Sequence, residues 1–345
     1  MGEYDTMNSG KTVRVCLVGL GWWGGVLAQS AKKTDGLELT ACFARTRQTR
    51  DAFSAEHGCR PLDSWEEALR DSETDAIILA IPHSAHARMV EEAASAGKHV
   101  FVEKPFVLHV PDGQRAIAAC ERAGVRLGVG HQRRYQPAHR ELKRLIDSGA
   151  LGHAIQAEAN FSYGFADKVA PPNWRADPRE SPSGSMTGLG IHHADNLQYL
   201  LGPIKSVFAS SRSVSPITNL DDVTAALLEF ESGAQGYLGT NMLTPKVFYI
   251  HIFGTEANAF AEDEGRRLTI QHKGVDEPGV TEYEVAGDPA SAQVVDELAD
   301  FAAAIRDGRP PEVDGHAGLR ASAVVEGITI SAREGRKLEL AELYE

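Results

Sequence analysis

Val13-Arg14-Val15-Cys16-Leu17-Val18-Gly19-Leu20-Gly21-Trp22-Trp23-Gly24 runs a nearly uncharged, β-branched segment into glycines spaced G-x-G-x-x-G. The first half predicts a strand buried in a parallel sheet, and the second half predicts a tight turn into a helix from about Val26-Leu27-Ala28 onward. Each glycine has its own use. Gly19 allows the turn, Gly21 removes the Cβ that would keep backbone away from a pyrophosphate, and Gly24 lets the helix close on the strand. Phosphates would sit on unpaired N–H groups at the positive helix end, with Leu20, Trp22 and Trp23 completing the loop. The pattern places a dinucleotide near the start of the chain, although a plain strand–turn–helix could carry the same glycines.

The next strand-like run, Leu37–Phe43, ends about twenty residues beyond the loop, where a ribose-reading side chain belongs. An acidic residue there would bind both ribose hydroxyls and repel a 2′-phosphate. The chain instead reads Ala44-Arg45-Thr46-Arg47. Arg45, Arg47 and the Thr46 hydroxyl suit a 2′-phosphate through charge-assisted hydrogen bonds, so NADP is the preferred cofactor and NAD the alternative. Solvated arginines at a helix start would look similar.

Strand and helix patterns then alternate. Helices are expected near Gln48–His57 and Ser64–Asp71, and a strand over Asp75–Ile81 ends at Pro82-His83. A helix from about Ser84 to Ala96 leads to the strand His99–Val102, which ends in Glu103-Lys104-Pro105; a helix near Pro111–Ala123 precedes Val125–Gly130. Such alternation predicts an α/β, doubly wound parallel sheet of Rossmann type whose ligand lies beyond the carboxyl ends of the strands. Beyond about residue 150 the rhythm changes to strand-like runs at Ile155–Tyr163, Ile204–Val214, Val223–Phe230, Ala234–Asn241 and Val247–Phe253, with weaker ones near Leu268 and Val280. Short turns between them predict a C-terminal α+β domain with a large open, mostly antiparallel sheet. Helical spacing recurs at Val294–Ile305 and Gly318–Arg333. The expected division is a loose tail at 1–10, a dinucleotide-binding domain at 11–133 and a substrate-binding and oligomerisation domain at 134–345, whose last helices could pack back on the first domain. The uncovered face of the second sheet suggests a homodimer or homotetramer.

With 345 residues, 42% hydrophobic and 24% charged, the chain suits a two-domain globular enzyme. A formal charge of −13 argues against nucleic acid or an anionic membrane as main partner. No apolar run approaches the roughly 20 residues that span a bilayer, and no signal peptide is evident. The four cysteines lack C-x-x-C spacing and read as reduced thiols of a cytoplasmic protein. The 13 histidines show no zinc spacing, so no metal is assigned.

Several motifs in order, Gly19–Gly24, Ile81-Pro82-His83-Ser84-Ala85-His86, Glu103-Lys104-Pro105, Gly128–Tyr135 and Gly188–Asp195, resemble the glucose–fructose oxidoreductase / inositol dehydrogenase / rhizopine catabolism family, Gfo/Idh/MocA. The resemblance covers nearly the whole chain. It implies a nicotinamide-dependent dehydrogenase or reductase acting on sugars, cyclitols or related polyols, usually as a dimer or tetramer through the open sheet. By this resemblance Lys104 lies beside the nicotinamide, where its ammonium would hydrogen-bond the reacting oxygen, and His192 is the acid/base, with His193 as its neighbouring rival. Glu103 would orient Lys104 or the ribose, Pro105 would follow a cis bond, and Ile81, Pro82, His83 and His86 would flank the nicotinamide. Many family members carry an aspartate where this chain has Gly188, so the proton relay must differ. Asp195, three residues after His192, is the nearest carboxylate and could bind a substrate hydroxyl. Tyr163, Asn173, Trp174 and Arg175 could close over a sugar. Two other readings fit the same fold: a glycoside-cleaving enzyme that retains NAD, and a non-catalytic sensor of cofactor or sugar.

Overall fold

A computed structural model describes residues 12–285 and 291–345; the tail expected at 1–10 lies outside the described residues. The chain divides into two compact units. One runs through Phe106 and includes Asp112–Gln132 and Gln293–Gly318; the other comprises Val107–Pro111, Arg133–Ala292 and Leu319–Glu345.

In the first unit, β1 (Val13–Val18), β2 (Leu37–Phe43), β3 (Arg60–Pro61), β4 (Ala76–Leu79), β5 (His99–Glu103) and β6 (Leu127–Gly130) form a sheet in the order β3-β2-β1-β4-β5-β6. All its strand pairs are parallel. Burial explains the apolar runs: every residue of β4 and β6 is buried, as β-strands covered on both faces must be. Helices α1 (Trp22–Ala31), α2 (Arg47–His57), α3 (Trp65–Arg70), α4 (His86–Ser95) and α5 (Val110–Ala123) connect the strands. Ser64 starts α3 by accepting the Glu67 N–H at 3.0 Å, and Gly58, at φ +73°, ends α2. The strand order reverses between β1 and β4, which is where an open α/β sheet of this order leaves its ligand crevice. The late helix Val294–Asp307 also belongs here; Phe301 packs edge-on to Phe101 at 5.5 Å, over Gly128, where a Cβ would lie 3.0 Å from the Phe301 ring.

In the second unit, β7 (Ala154–Ser162), β8 (Ile204–Arg212), β9 (Val223–Phe230), β10 (Gln235–Asn241), β11 (Val247–Gly254), β12 (Ala257–Glu262), β13 (Arg267–His272), β14 (Gly279–Glu282) and β15 (Leu338–Glu339) form one open sheet. Its order is β14-β13-β12-β11-β7-β10-β9-β8-β15, antiparallel except where β7 and β10 run parallel. One face is covered by α6 (Pro137–Asp147), α7 (Ile191–Leu201) and the helix Gly315–Glu334, through Leu142, Leu145, Leu197, Val324 and Ile328 packed on Ala159, Leu238, Ile250 and Ile252. Each such buried aliphatic side chain contributes about 1.5–3 kcal/mol of transfer free energy. The other face carries a cross-strand row in register, Phe208, Leu227, Tyr237, Glu158, His251 and Phe260. Leu227 is 60% exposed there.

Candidate active site

The glycine loop fulfils its steric logic residue by residue. A Cβ on Gly19, at φ +95°, would lie 2.1 Å from the Ala80 carbonyl oxygen, and one on Gly24 would lie 2.2 Å from the Gly19 oxygen. The fold itself therefore excludes side chains at both positions. At Gly21 a Cβ would meet nothing within 4 Å, and the backbone, at φ −79°, suits any residue. Nothing among the described residues requires that glycine, whereas a ligand pressed against the loop would. Gly21 begins α1 with no side-chain cap, and the first turn holds no acidic residue, so its N–H groups remain suited to an anion.

The neighbouring strand ends are tied to this loop. The Trp23 indole N–H donates to Glu103 Oε1 at 2.5 Å, and Glu103 Oε2 accepts the Lys104 N–H at 3.2 Å. A side chain on Gly130 would press on the same carboxylate, its Cβ 2.9 Å from Glu103 Oε1. Glu103 is thereby fixed between the glycine loop and the Lys104 backbone. The Lys104–Pro105 peptide is cis. His86 is fully buried, its Nδ1 2.9 Å from the Pro105 oxygen and its Nε2 3.1 Å from the Ile81 oxygen. It braces the ends of β4 and β5. His83 packs edge-on against it at 5.7 Å. At the far side of the loop Arg45, Thr46 and Arg47 are exposed; Thr46 precedes α2 without capping it, and Arg47 reaches Asp51 at 3.4 Å.

In the second unit, Met186–Gly190 forms a π-helical turn that leads straight into α7 and His192. Such turns often mark functional positions. Gly190 is demanded by packing, since its Cβ would overlap the Met186 sulfur at 2.0 Å, whereas a Cβ on Gly188 would meet only Phe165 at an ordinary 3.7 Å. His192 and His193 have different surroundings. The His193 Nε2 lies 3.2 Å from the Asn160 carbonyl, and its ring packs on Phe248 at 4.7 Å and Phe161 at 5.9 Å. Burial, aided by His139 and Arg133, holds it well below the usual histidine range, so it stays neutral. His192 lies beside Phe161 at 6.0 Å between ring centres.

Asp195 is tied into the second unit. Its carboxylate is held by Arg134 in a buried, two-pronged ion pair, Arg134 Nε donating at 3.1 Å and Nη2 donating to the other oxygen. Arg134 in turn lies over Tyr199 at 5.0 Å. Asp195 thus ties α7 to the turn before α6. Tyr163 stacks on Phe165 at 4.8 Å, and burial raises its phenol. The Arg175 guanidinium lies 4.2 Å over Trp174, on a turn where Asn173 accepts the Arg175 N–H at 3.0 Å. A cluster with no role assigned from sequence surrounds Arg133: it lies over Phe161 (4.5 Å) and Phe248 (4.8 Å) and pairs with Glu264 at 3.3 Å, which also pairs with Lys246. Asp263 and Glu264 both adopt left-handed backbone, at φ +49° and +53°, at a cost of roughly 1–2 kcal/mol each. The Gly128–Tyr135 motif pointed to Arg133, but a glutamate 131 residues away carried no signal.

Residues 13–131 match the oxidoreductase family with an NAD-binding Rossmann fold, and residues 139–260 match the GFO/IDH/MocA C-terminal domain. The scyllo-inositol 2-dehydrogenase (NAD(+)) of Bacillus subtilis strain 168 is 30% identical over 316 residues, 87% of this chain and 88% of that one. The chain belongs to the Gfo/Idh/MocA oxidoreductase family. This family member is also 28% identical to the D-apiose dehydrogenase of Paraburkholderia graminis, over 98% of its own length and 92% of the relative's. A Desulfitobacterium hafniense DCB-2 protein assigned as an NADPH-dependent oxidoreductase is 32% identical, with a TM-score of 0.89 over 97% of this chain and 99% of that one. The chain is an oxidoreductase with an NAD-binding domain. Among its described residues no helix is long and apolar enough to cross a membrane.

Proposed function

We propose that this oxidoreductase interconverts a secondary hydroxyl of a sugar, cyclitol or related polyol with the ketone, using NADP in preference to NAD. The observation that carries the proposal is the shared rim of the first unit. There the unforced Gly21, the Trp23–Glu103 hydrogen bond and Lys104 occur together at the carboxyl ends of β1 and β5. The uncapped first turn of α1 suits the pyrophosphate. A nicotinamide bound at this rim would supply the acceptor for the hydride of the alcohol carbon. As the hydride departs, the hydroxyl must lose its proton. The Lys104 ammonium would donate a hydrogen bond to that oxygen and stabilise its growing negative charge, while His192 would take the proton on a ring nitrogen. Ketone reduction reverses these roles. Glu103 holds the Lys104 backbone, and the aromatic surfaces of Tyr163 and Trp174 suit the C–H faces of a sugar.

Names among the relatives support sugars and cyclitols as the substrate class, and they point to both nicotinamide cofactors. Exposed Arg45 and the uncapped start of α2, with no acidic residue in its first turn, favour the 2′-phosphate. Titration calorimetry with NADP⁺ and NAD⁺ tests this choice. Tighter NADP⁺ binding that Arg45→Ala abolishes is expected, and equal affinities in the unmodified protein would refute it. In this proposal the first unit binds cofactor, and the second binds substrate and a second copy of the chain through the outer row around Leu227. A cytoplasmic setting suits the four unpaired, buried cysteines. Light scattering should give an oligomer that Leu227→Glu dissociates; a monomer before substitution would exclude that interface.

A further inference from the structure

Arg50 stands in the first unit, one turn into α2 and next to the Arg45-Thr46-Arg47 segment. Its guanidinium is 8% exposed, unusual for a residue so close to a helix start, and it is spent on the loop rather than on solvent. Nη1 donates to the Ala44 oxygen at 2.9 Å and approaches the Arg45 oxygen at 3.4 Å; Nη2 donates to Asp63 Oδ1 at 2.9 Å. Nε is buried with no hydrogen-bond partner among the described residues. The same residue's N–H makes the first helical bond, to the Thr46 oxygen at 3.2 Å. Arg50 therefore grips the chain at Ala44, Arg45 and Thr46, where the backbone leaves β2 and turns into α2.

Two consequences follow from the chemistry of the group. A planar guanidinium spanning carbonyl oxygens and a carboxylate fixes the peptide that carries Arg45, and so the direction in which Arg45 and the Thr46 hydroxyl present themselves. Its charge is also incompletely offset, because Asp63, its one carboxylate partner among the described residues, is 90% exposed and screened by water. A buried, under-neutralised cation behind the loop favours an anion in front of it. Arg47, by contrast, is 84% exposed and pairs with Asp51 on the surface.

We infer that Arg50 is the positioning residue that sets cofactor selectivity: by clamping the Ala44–Thr46 backbone against Asp63, it holds the cationic loop in the arrangement that accepts an adenosine 2′-phosphate. The inference rests on the NADP preference proposed above. Loss of the clamp should weaken NADP⁺ much more than NAD⁺, since NAD⁺ lacks the 2′-phosphate and presents only neutral ribose hydroxyls and adenine to the cationic loop.

The test is calorimetric binding of NADP⁺ and NAD⁺ to the full chain, with thermal melts alongside, for Arg50→Met, Arg50→Lys and Arg45→Ala. Arg50→Met should weaken NADP⁺ by about tenfold, the scale of one charge-assisted contact, and shift NAD⁺ much less. If Arg50→Met fails to fold, Arg50→Lys decides: a point charge cannot span the Ala44 carbonyl and Asp63 together, so NADP⁺ affinity should still fall selectively. Equal weakening of both cofactors would make Arg50 merely structural, and no change in either would remove its role; with Arg45→Ala still abolishing the NADP⁺ preference, only the inference about Arg50 falls. An unmodified protein that binds both cofactors equally overturns the NADP preference and this inference with it.

Discussion

The adjacent histidines of α7 carry different parts in the proposed account, His193 structural and His192 chemical. His193 gives its Nε2–H to the Asn160 carbonyl and is enclosed by Phe161 and Phe248, where a charge would be costly. His192, in the proposed mechanism, must gain and lose a proton at every turnover. His192→Asn should therefore lower turnover by about 10²–10⁴-fold with little change in melting temperature. His193→Asn should mainly destabilise, by roughly 1–3 kcal/mol, as a buried partner is lost. The reverse pattern would assign the proton transfer to His193. The pH dependence of stability follows from the same burial. His139 is pushed down to about 4 and His193 also lies below the ordinary 6.5, so in the fold both resist the protons they accept when unfolded. Their contribution is full above about 6.5 and is lost as pH falls towards 4. Urea unfolding should show lower stability at pH 5 than at pH 7, and a rise on acidification would contradict the neutral assignments.

At the scale of elements, the glycine loop separates fold from ligand. Gly24→Ala should destabilise the first unit, because its Cβ meets the Gly19 oxygen at 2.2 Å. Gly21→Ala should leave the melting temperature unchanged yet weaken cofactor binding, as calorimetry would record; unaltered binding would show that no ligand approaches that position. The parallel strands were legible because burial on both faces leaves unbroken apolar runs. Of the elements that escaped notice, β12 and α6 have identifiable physical reasons. In β12, Ala257, Ala259 and Ala261 face the core, and alanine signals a strand only weakly. Helix α6 carries its signal in Pro137 at its start and in Ala138, Leu142 and Leu145 on one face, a pattern readable in sequence but hidden among charges. Among candidate site residues, Gly19, Gly21 and Gly24 could be proposed from local spacing, and Lys104 from the family resemblance of Glu103-Lys104-Pro105. The Asp195–Arg134 pair and the Arg133–Glu264 pair could not, since each joins residues distant in the chain.

At the scale of the whole molecule, the chain joins a dinucleotide-type parallel sheet to an open sheet whose inner face is packed by helices. The division of labour proposed between them makes Lys104, on the first unit, the group that stabilises charge on the reacting oxygen, without being needed to hold the cofactor. Purified protein, with NADP⁺ or NAD⁺ and a panel of sugars, cyclitols and related polyols, should therefore generate the absorbance of reduced nicotinamide. Lys104→Ala should suppress that signal by about 10²–10⁴-fold while calorimetry still records cofactor binding. Undiminished turnover in Lys104→Ala, or no turnover by the unmodified protein across the panel, would contradict the proposed hydride transfer.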